Sequence, residues 1–296
     1  MSQLKGWLLY AKEDYEKNAS FAKRFLDFGN NSKSLIKLIF KDDLYFGVDH
    51  NVLCLKDQEG NGIMIPDFVI NRTIDPLLSR HLENMGVKVF NSSQIAEICN
   101  DKARTYMEVT RLNLPMIDTF FIDKKTLLQR NIPLNFPVVI KTVEGRGGKE
   151  VFLVNCLDEV QHIAKSITKE RFVVQRLCGN PGKDVRVFIV GKSIVGAVLR
   201  RSKGDFKANF TLGGTAEPYN LTEMERALVM RIVNHFDFGM VGIDFIFDEK
   251  GDFLFNEIED VVGSRTLSMT SDVDIVKLYL EHAYKAVGMC DMRLRN

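Results

Sequence analysis

Apolar positions recur in two rhythms along the chain, and their alternation predicts an α/β protein. Residues 7–10, 34–40, 68–71 and 87–90 are short apolar runs of strand length. Residues 14–28 carry helical periodicity, as does the stretch that Asp75-Pro76 opens and Gly86 closes. Asp75 suits an N-cap and Pro76 the first helical position. Strands alternating with helices predict a small α/β domain up to about residue 98. Beyond it, Ser92-Ser93 caps a helix, and residues 101–113 form another that ends at Pro115. Residues 136–143, 150–154 and 172–175 read as strands, with a helix over 158–167. Residues 184–190 and 193–200 pair as a hairpin about Gly191-Lys192. Thr222 and Glu225 make a capping box for a helix over 222–236, and a last helix lies near 275–287.

Two runs near the C-terminus carry candidate chemistry. Residues 242–247 and 253–260 are rich in Ile and Phe, and 248–252 between them reads as a turn. If Asp248 faces Phe253, then Asp244 faces Glu257, with Cβ atoms roughly 5 Å apart. Glu259 shares that face, because strand side chains alternate. Three carboxylates inside an apolar sheet cannot ionise together without a cation. Oxygen ligands of this kind suit Mg²⁺ or Mn²⁺.

Composition narrows the function classes. The chain has 296 residues, enough for two or three domains, and its 40 basic and 39 acidic residues nearly cancel. A nucleic-acid footprint would show a basic excess, so no nucleic-acid partner is expected. No apolar run approaches the roughly 20 residues that span a bilayer, so no membrane partner is expected either. Cys54, Cys99, Cys156, Cys178 and Cys290 are scattered without a CxxC, which fits a reduced, cytoplasmic setting. The five histidines lie far apart and suggest no zinc site.

Gly145-Arg146-Gly147-Gly148-Lys149 invites comparison with a phosphate-binding P-loop. Glu150 follows the lysine where Ser or Thr is required, and Val143 stands where the first glycine should be. Both flanks read as strands, so the segment is a Gly-rich hairpin tip. Bare backbone there can close over phosphates, or the tip can be an ordinary mobile turn. Lys141 lies inside the strand before it and needs a partner, a phosphate or a buried glutamate. Taken singly, Lys102 reads as a solvated helix residue, and the strand exit Gln175-Arg176-Leu177-Cys178 as core and turn. Asp184 and Arg186, with Arg200-Arg201, read as a solvated edge or as a clamp on transferring phosphoryl oxygens.

Taken in order, these features resemble the ATP-grasp superfamily and, within it, the RimK-like carboxylate–amine ligases. The resemblance covers roughly residues 95–285. Val139-Ile140-Lys141 through Gly148, Asp184 through Gly191, Gly204 through Asn209 with Gly213-Gly214, and Val241 through Asp244 carry it. It implies an ATP-grasp fold of α/β (α+β) class over 99–296, with a central lid at about 99–175 and a catalytic part at about 176–296. Residues 1–98 would be the Rossmann-like α/β domain that precedes it. By the same resemblance Lys102 and Lys141 would contact ATP phosphates beneath Gly145, Gly147 and Gly148, Lys141 also near the adenine side, and Lys207 and Asn209 would reach the phosphate and metal region. Gln175, Arg176, Leu177 and Cys178 would line adenine, and Asp184 would hold the ribose. Arg186, Arg200 and Arg201 would steady the acyl-phosphate and the tetrahedral species after it. Asp244, Glu257 and Glu259 would hold Mg²⁺ or Mn²⁺.

The implied activity is ATP-dependent amide formation between a small-molecule or peptide carboxylate and an amine, with homo-oligomerisation left open. An ATP-grasp kinase and a nucleotide-binding regulator without turnover are the alternatives. The chain departs from the family pattern at three places. Glu259 stands where Asn is usual, and Asp260-Val261-Val262-Gly263 where Ser-Pro-Gly usually follows. Thr211-Leu212 replaces a common His-Arg, and Arg265 is a candidate to supply the missing basic contact.

Overall fold

A computed structural model describes residues 4–32, 34–202, 204–208 and 214–288 of the chain. The first unit is built from β1 (Leu4–Tyr10), α1 (Lys12–Asn31), β2 (Ser34–Phe40), β3 (Tyr45–Asp49), β4 (Val52–Lys56), β5 (Phe68–Asn71), α2 (Pro76–Asn84), β6 (Lys88–Phe90) and α3 (Ser93–Cys99). Four strands form a parallel sheet in the order β2-β1-β5-β6. Alternation in β1 sends Trp7 and Leu9 to a core under α2, and Leu8 and Tyr10 to the core under α1. The caps expected from sequence form: Asp75 accepts from the Leu78 N–H and Ser92 from the Ile95 N–H. The β3–β4 hairpin was not anticipated. Gly47 interrupts its apolar pattern, and its strands form a two-stranded sheet apart from the parallel one.

A second sheet follows from α4 (Lys102–Thr110), β7 (Thr119–Asp123), α5 (Lys124–Leu128), β8 (Val138–Thr142), β9 (Val151–Val154), α6 (Leu157–Ser166) and β10 (Arg171–Arg176). Its order is β7-β10-β8-β9, all antiparallel, with α5 and α6 covering one face. β8 and β9 pair across the Gly-rich tip, so the segment is the hairpin expected and not a strand-to-helix phosphate loop. Gly147 and Gly148 have φ of 64° and 72°, a region that glycine enters at little cost.

The third unit comprises β11 (Lys183–Val190), β12 (Ser193–Arg201), β13 (Thr215–Pro218), α7 (Glu223–His235), β14 (Met240–Phe247), β15 (Phe253–Glu259), α8 (Arg265–Thr270) and α9 (Ile275–Ala286). Its five-stranded antiparallel sheet runs β13-β12-β11-β14-β15. Thr222 and Glu225 form the capping box of α7. One face of the sheet packs on α3, α4 and α7 through Val185, Val187, Ile243 and Phe245. The opposite face divides in two. Phe188, Val190, Val198 and Met240 share a core with β1, α1 and α9, while Asp184, Arg186, Arg200 and Asp244 occupy the other end.

No described helix is long and apolar enough to cross a membrane. Cys54, Cys99, Cys156 and Cys178 are free thiols. Asn209, Thr211, Leu212, Gly213 and Cys290 lie outside the described residues.

Candidate functional site

The carboxylate hairpin forms, but by another register than the turn suggested. Phe247 pairs with Phe253 and Phe245 with Phe255, and then the register shifts by one. Asn256 is the extra residue of a β-bulge, so Asp244 still faces Glu257, and Gly242 faces Glu259. The bulge decides the outcome. Phe253 and Phe255 point into the core beneath the sheet, and strict alternation would bury Glu257 and Glu259 with them. One inserted residue returns Ile258 to that core and turns both glutamates onto the face of Asp244. The three carboxylates then offer oxygens within 4.8 Å of one another.

Cross-strand register supplies their partners. Asp184 lies opposite Arg200, and Arg186 opposite Asp244. Arg186 donates to both oxygens of Asp244, at 2.7 and 2.6 Å, and Arg200 to both oxygens of Asp184, at 2.6 and 2.7 Å. Arg200 also reaches Asp244 at 2.8 Å, and Arg186 reaches Glu259 at 2.7 Å. Gly242 makes room for this ladder. A Cβ there would stand 2.7 Å from Val262 Cγ2 and 3.3 Å from Arg186 Cδ. Burial raises the Asp244 carboxyl's pKa, but the charges of Arg186 and Arg200 outweigh it and hold the group at about 2. Asp184, which shares Arg200 with Asp244, is pushed up, first by burial.

Glu257 is the least committed of the three. Its described ion-pair contact is Lys102, at 3.6 Å. Lys102 also donates to the Gly145 carbonyl, which ties α4 to the Gly-rich tip. Lys141 donates to Asn256 Oδ1 at 2.9 Å, and burial lowers its pKa to about 8. Lys207 donates to the carbonyls of Gly148 and Val151, at 3.4 Å each. The three lysines singled out from sequence therefore converge, from three segments, on the tip and the carboxylates.

Lys141, Lys207 and the carboxylates face a cavity of about 550 Å³ between the two antiparallel sheets and α1, while Lys102 and Gly145 line a smaller pocket that shares Gly147, Gly148, Glu257 and Glu259 with it. Nine lysines and arginines line the larger cavity against four carboxylates, although the whole chain is nearly neutral. Such a surplus fits a polyanion. Gly147, Gly148, Gln175, Arg176, Leu177, Cys178 and Asp184 all reach its wall. The Gln175 amide itself turns to the Tyr106 hydroxyl and Thr119, and Arg176 pairs with Asp118. Arg201 is not brought in. It points to the other side of β12 and pairs with Glu217 at 3.2 Å, because it alternates with Arg200. Three hard carboxylates, one of them nearly free, fit a divalent cation of the Mg²⁺ or Mn²⁺ type.

Sequence reasoning missed one end of the cavity. Lys17, Asn18, Phe21 and Arg24 of α1 line it, as do Gly263 through Thr266. The helix breaks at Asn18, whose φ and ψ are −129° and 18°. Arg265, flagged from sequence, lies on this wall without an ion-pair partner among the described residues. The available signal was position: α1 follows β1 directly, at the carboxyl edge of a parallel sheet.

Comparison with known proteins identifies the family. The family model of the RimK-like ATP-grasp domain matches residues 99–282. The chain is 28% identical over 263 residues to N-acetylaspartylglutamate synthase A of Mus musculus, covering 83% of this chain and 69% of that protein. It spans 56% of the Homo sapiens counterpart, at 29% identity over 72% of this chain. It is 24% identical over 253 residues to the alpha-aminoadipate–LysW ligase LysX of Saccharolobus solfataricus, covering 83% and 88%. The D-alanyl-alanine synthetase A structure from Vibrio cholerae superposes with a TM-score of 0.72 at 14% identity, over 97% of this chain and 99% of that one. With Gly147, Gly148, Lys141, Lys207 and the carboxylate triad in one cavity and the family model spanning most of the chain, the protein belongs to the RimK-like ATP-grasp family.

Proposed function

We propose that the protein is an ATP- and Mg²⁺-dependent ligase that activates a carboxylate as its acyl-phosphate and joins it to an amine, the two partners being amino acids or peptides. The observation that carries this reading is the charge of the cavity: a basic lining suited to a triphosphate, set against three converging carboxylates. An acid oxygen attacks the γ-phosphorus and ADP leaves. The amine then attacks the acyl carbon, phosphate departs with the C–O bond's electrons, and the amine loses a proton. Phosphoryl transfer needs positioning and charge neutralisation more than covalent help from the protein.

In this reading Lys102, Lys141 and Lys207 bind the phosphates and draw the Gly145–Gly148 tip over them, excluding water from the acyl-phosphate. Residues 175–178 receive the adenine, and Asp184 the ribose. Arg186 and Arg200 face the transferring group and the oxyanion that follows. Asp244, Glu257 and Glu259 would hold Mg²⁺, which when bound neutralises phosphate charge. The division into a leading α/β unit at 1–98 and a ligase unit at 99–296, and a cytoplasmic location, belong to the same reading.

The test is a screen of acids paired with amines for ADP release, with free phosphate measured and products identified by mass spectrometry. One acid–amine pair should give ADP, phosphate and an amide in equal amounts. A phosphorylated hydroxyl without free phosphate would replace the ligase with a kinase. Tight ATP binding that no pair turns over would leave a nucleotide-binding regulator.

A further inference from the structure

Among the described residues, two buried side-chain polar atoms have no hydrogen-bond partner: Tyr10 Oη and Arg72 Nε. They lie at the carboxyl ends of neighbouring strands. Tyr10 ends β1, Arg72 follows β5, and the Arg72 N–H donates to Leu9 O at 2.8 Å. In the order β2-β1-β5-β6, α1 carries the chain from β1 to one side while β5 lies on the other. The gap between β1 and β5 is therefore the switch point of this parallel sheet, where open α/β sheets bind ligands.

Arg72 is a poor candidate for a purely structural cation. It is 6% exposed, yet no carboxylate among the described residues lies within ion-pair distance of it. Asp260 senses its charge at longer range, but the Asp260 oxygens accept from Asn91 and Asn100. One Nη2 hydrogen goes to Val262 O at 2.7 Å, and the guanidinium lies 5.3 Å from the centre of the Phe21 ring. Phe21 and Gly263, next to Val262, line the large cavity, so Arg72 sits one side chain behind its wall. A buried guanidinium with a free donor is costly unless an anion arrives to meet it.

We propose that the carboxyl edge of β1 and β5, behind the cavity wall at Phe21, receives a second carboxylate of the acid substrate, with Arg72 as its cation, Tyr10 as a further donor and Phe21 as the ring that turns aside on entry. The assignment rests on the ligase reading for the word substrate and makes that substrate a dicarboxylate. One carboxylate is activated beside Arg186 and Arg200, and the other is held by the first unit of the fold. Arg72 is then a specificity-determining residue and takes no part in phosphoryl transfer.

The experiment is calorimetric titration of the full chain, with ADP and Mg²⁺ present, using succinate, glutarate and adipate, each against the monocarboxylate of equal length. At least one dicarboxylate should bind measurably more tightly than its monocarboxylate. Arg72→Gln should weaken that dicarboxylate roughly ten- to hundredfold, the range for a hydrogen bond to a charged group, and leave the monocarboxylate and ADP unchanged. Tyr10→Phe removes one oxygen from an intact core and should weaken the same ligand by a smaller factor. Equal binding of both acid classes by the wild type overturns the proposal. So does unchanged dicarboxylate binding in Arg72→Gln, or an equal loss for ADP. Absence of amide formation from every acid and amine would count against the ligase reading alone, because the binding comparison does not depend on turnover.

Discussion

Asp244 and Glu257 face each other across one strand pair, yet replacing them should have different consequences. Asp244 is 1% exposed and accepts from two buried arginines. Asp244→Asn removes the charge that Arg186 and Arg200 share, and should cost on the order of 3 kcal/mol of stability as well as turnover. Glu257 is partly solvated, and Lys102 stands 3.6 Å away. Glu257→Gln should abolish acid-dependent ADP release while moving the denaturation midpoint little. Urea titration of the two variants beside wild type separates these outcomes. Equal midpoints would mean that the ion-pair ladder contributes nothing to the fold. Glu259 belongs with Asp244 in this respect, since it gives Arg186 its third contact.

At the scale of elements, the docking of α9 carries a pH signature. His282 projects from α9 edge-on to the Phe90 ring of β6, 5.9 Å between centres, and close over Gly191, where a Cβ would meet its Nδ1 at 2.6 Å. Burial lowers its pKa below 6.5; the Asp237 charge opposes this and those of Lys285 and Lys88 add to it. Between the folded and unfolded pKa values the unfolded chain binds the extra proton. The stability is therefore present above the unfolded value and is lost as pH falls through the folded one. Denaturation at about pH 7.5 and about pH 5.5 should show a smaller loss of stability in His282→Gln than in wild type. An identical loss in both would remove His282 from the account.

At the scale of the molecule, the first unit and the five-stranded sheet share one core. Phe25 of α1 meets Tyr279 of α9 edge-on at 6.2 Å, Arg24 pairs with Asp274 at 2.7 Å, and Ser34 shares a hydrogen bond with the Tyr284 hydroxyl at 2.5 Å. Leu8, Phe68, Phe188, Val190 and Met240 belong to the same apolar cluster. Thermal unfolding should accordingly show one transition for these two parts. A fragment of residues 99–296 should expose Val190, Met240 and Leu280, bind a hydrophobic dye and melt well below the full chain. A fragment as stable as the parent would show that the shared core is dispensable.

Much of this was written in local pattern. Strand and helix periods, the caps at Asp75, Ser92 and Thr222, and the hairpin at the Gly-rich tip are short-range properties, and side-chain period and capping chemistry settle them within a few residues. The family's ordered lysines and carboxylates were legible for the same reason, since each sits in a motif. What lay beyond local reach was decided by tertiary structure. The pairing of Asp244 with Glu257 was expected from the turn, but the bulge at Asn256 that produces it was not, because register depends on both partners and on the core beneath them. Arg186 and Arg200 from neighbouring strands supply positive charge to Asp244 and Glu259 but not to Glu257, and Arg201 was turned away by alternation. The far wall of the cavity came from α1 and the segment after β15, more than two hundred residues apart in the chain. The sequence by itself determined the elements and the chemistry they carry; only packing, which sums contacts distant along the chain, decided which charges meet and which are left waiting for a ligand.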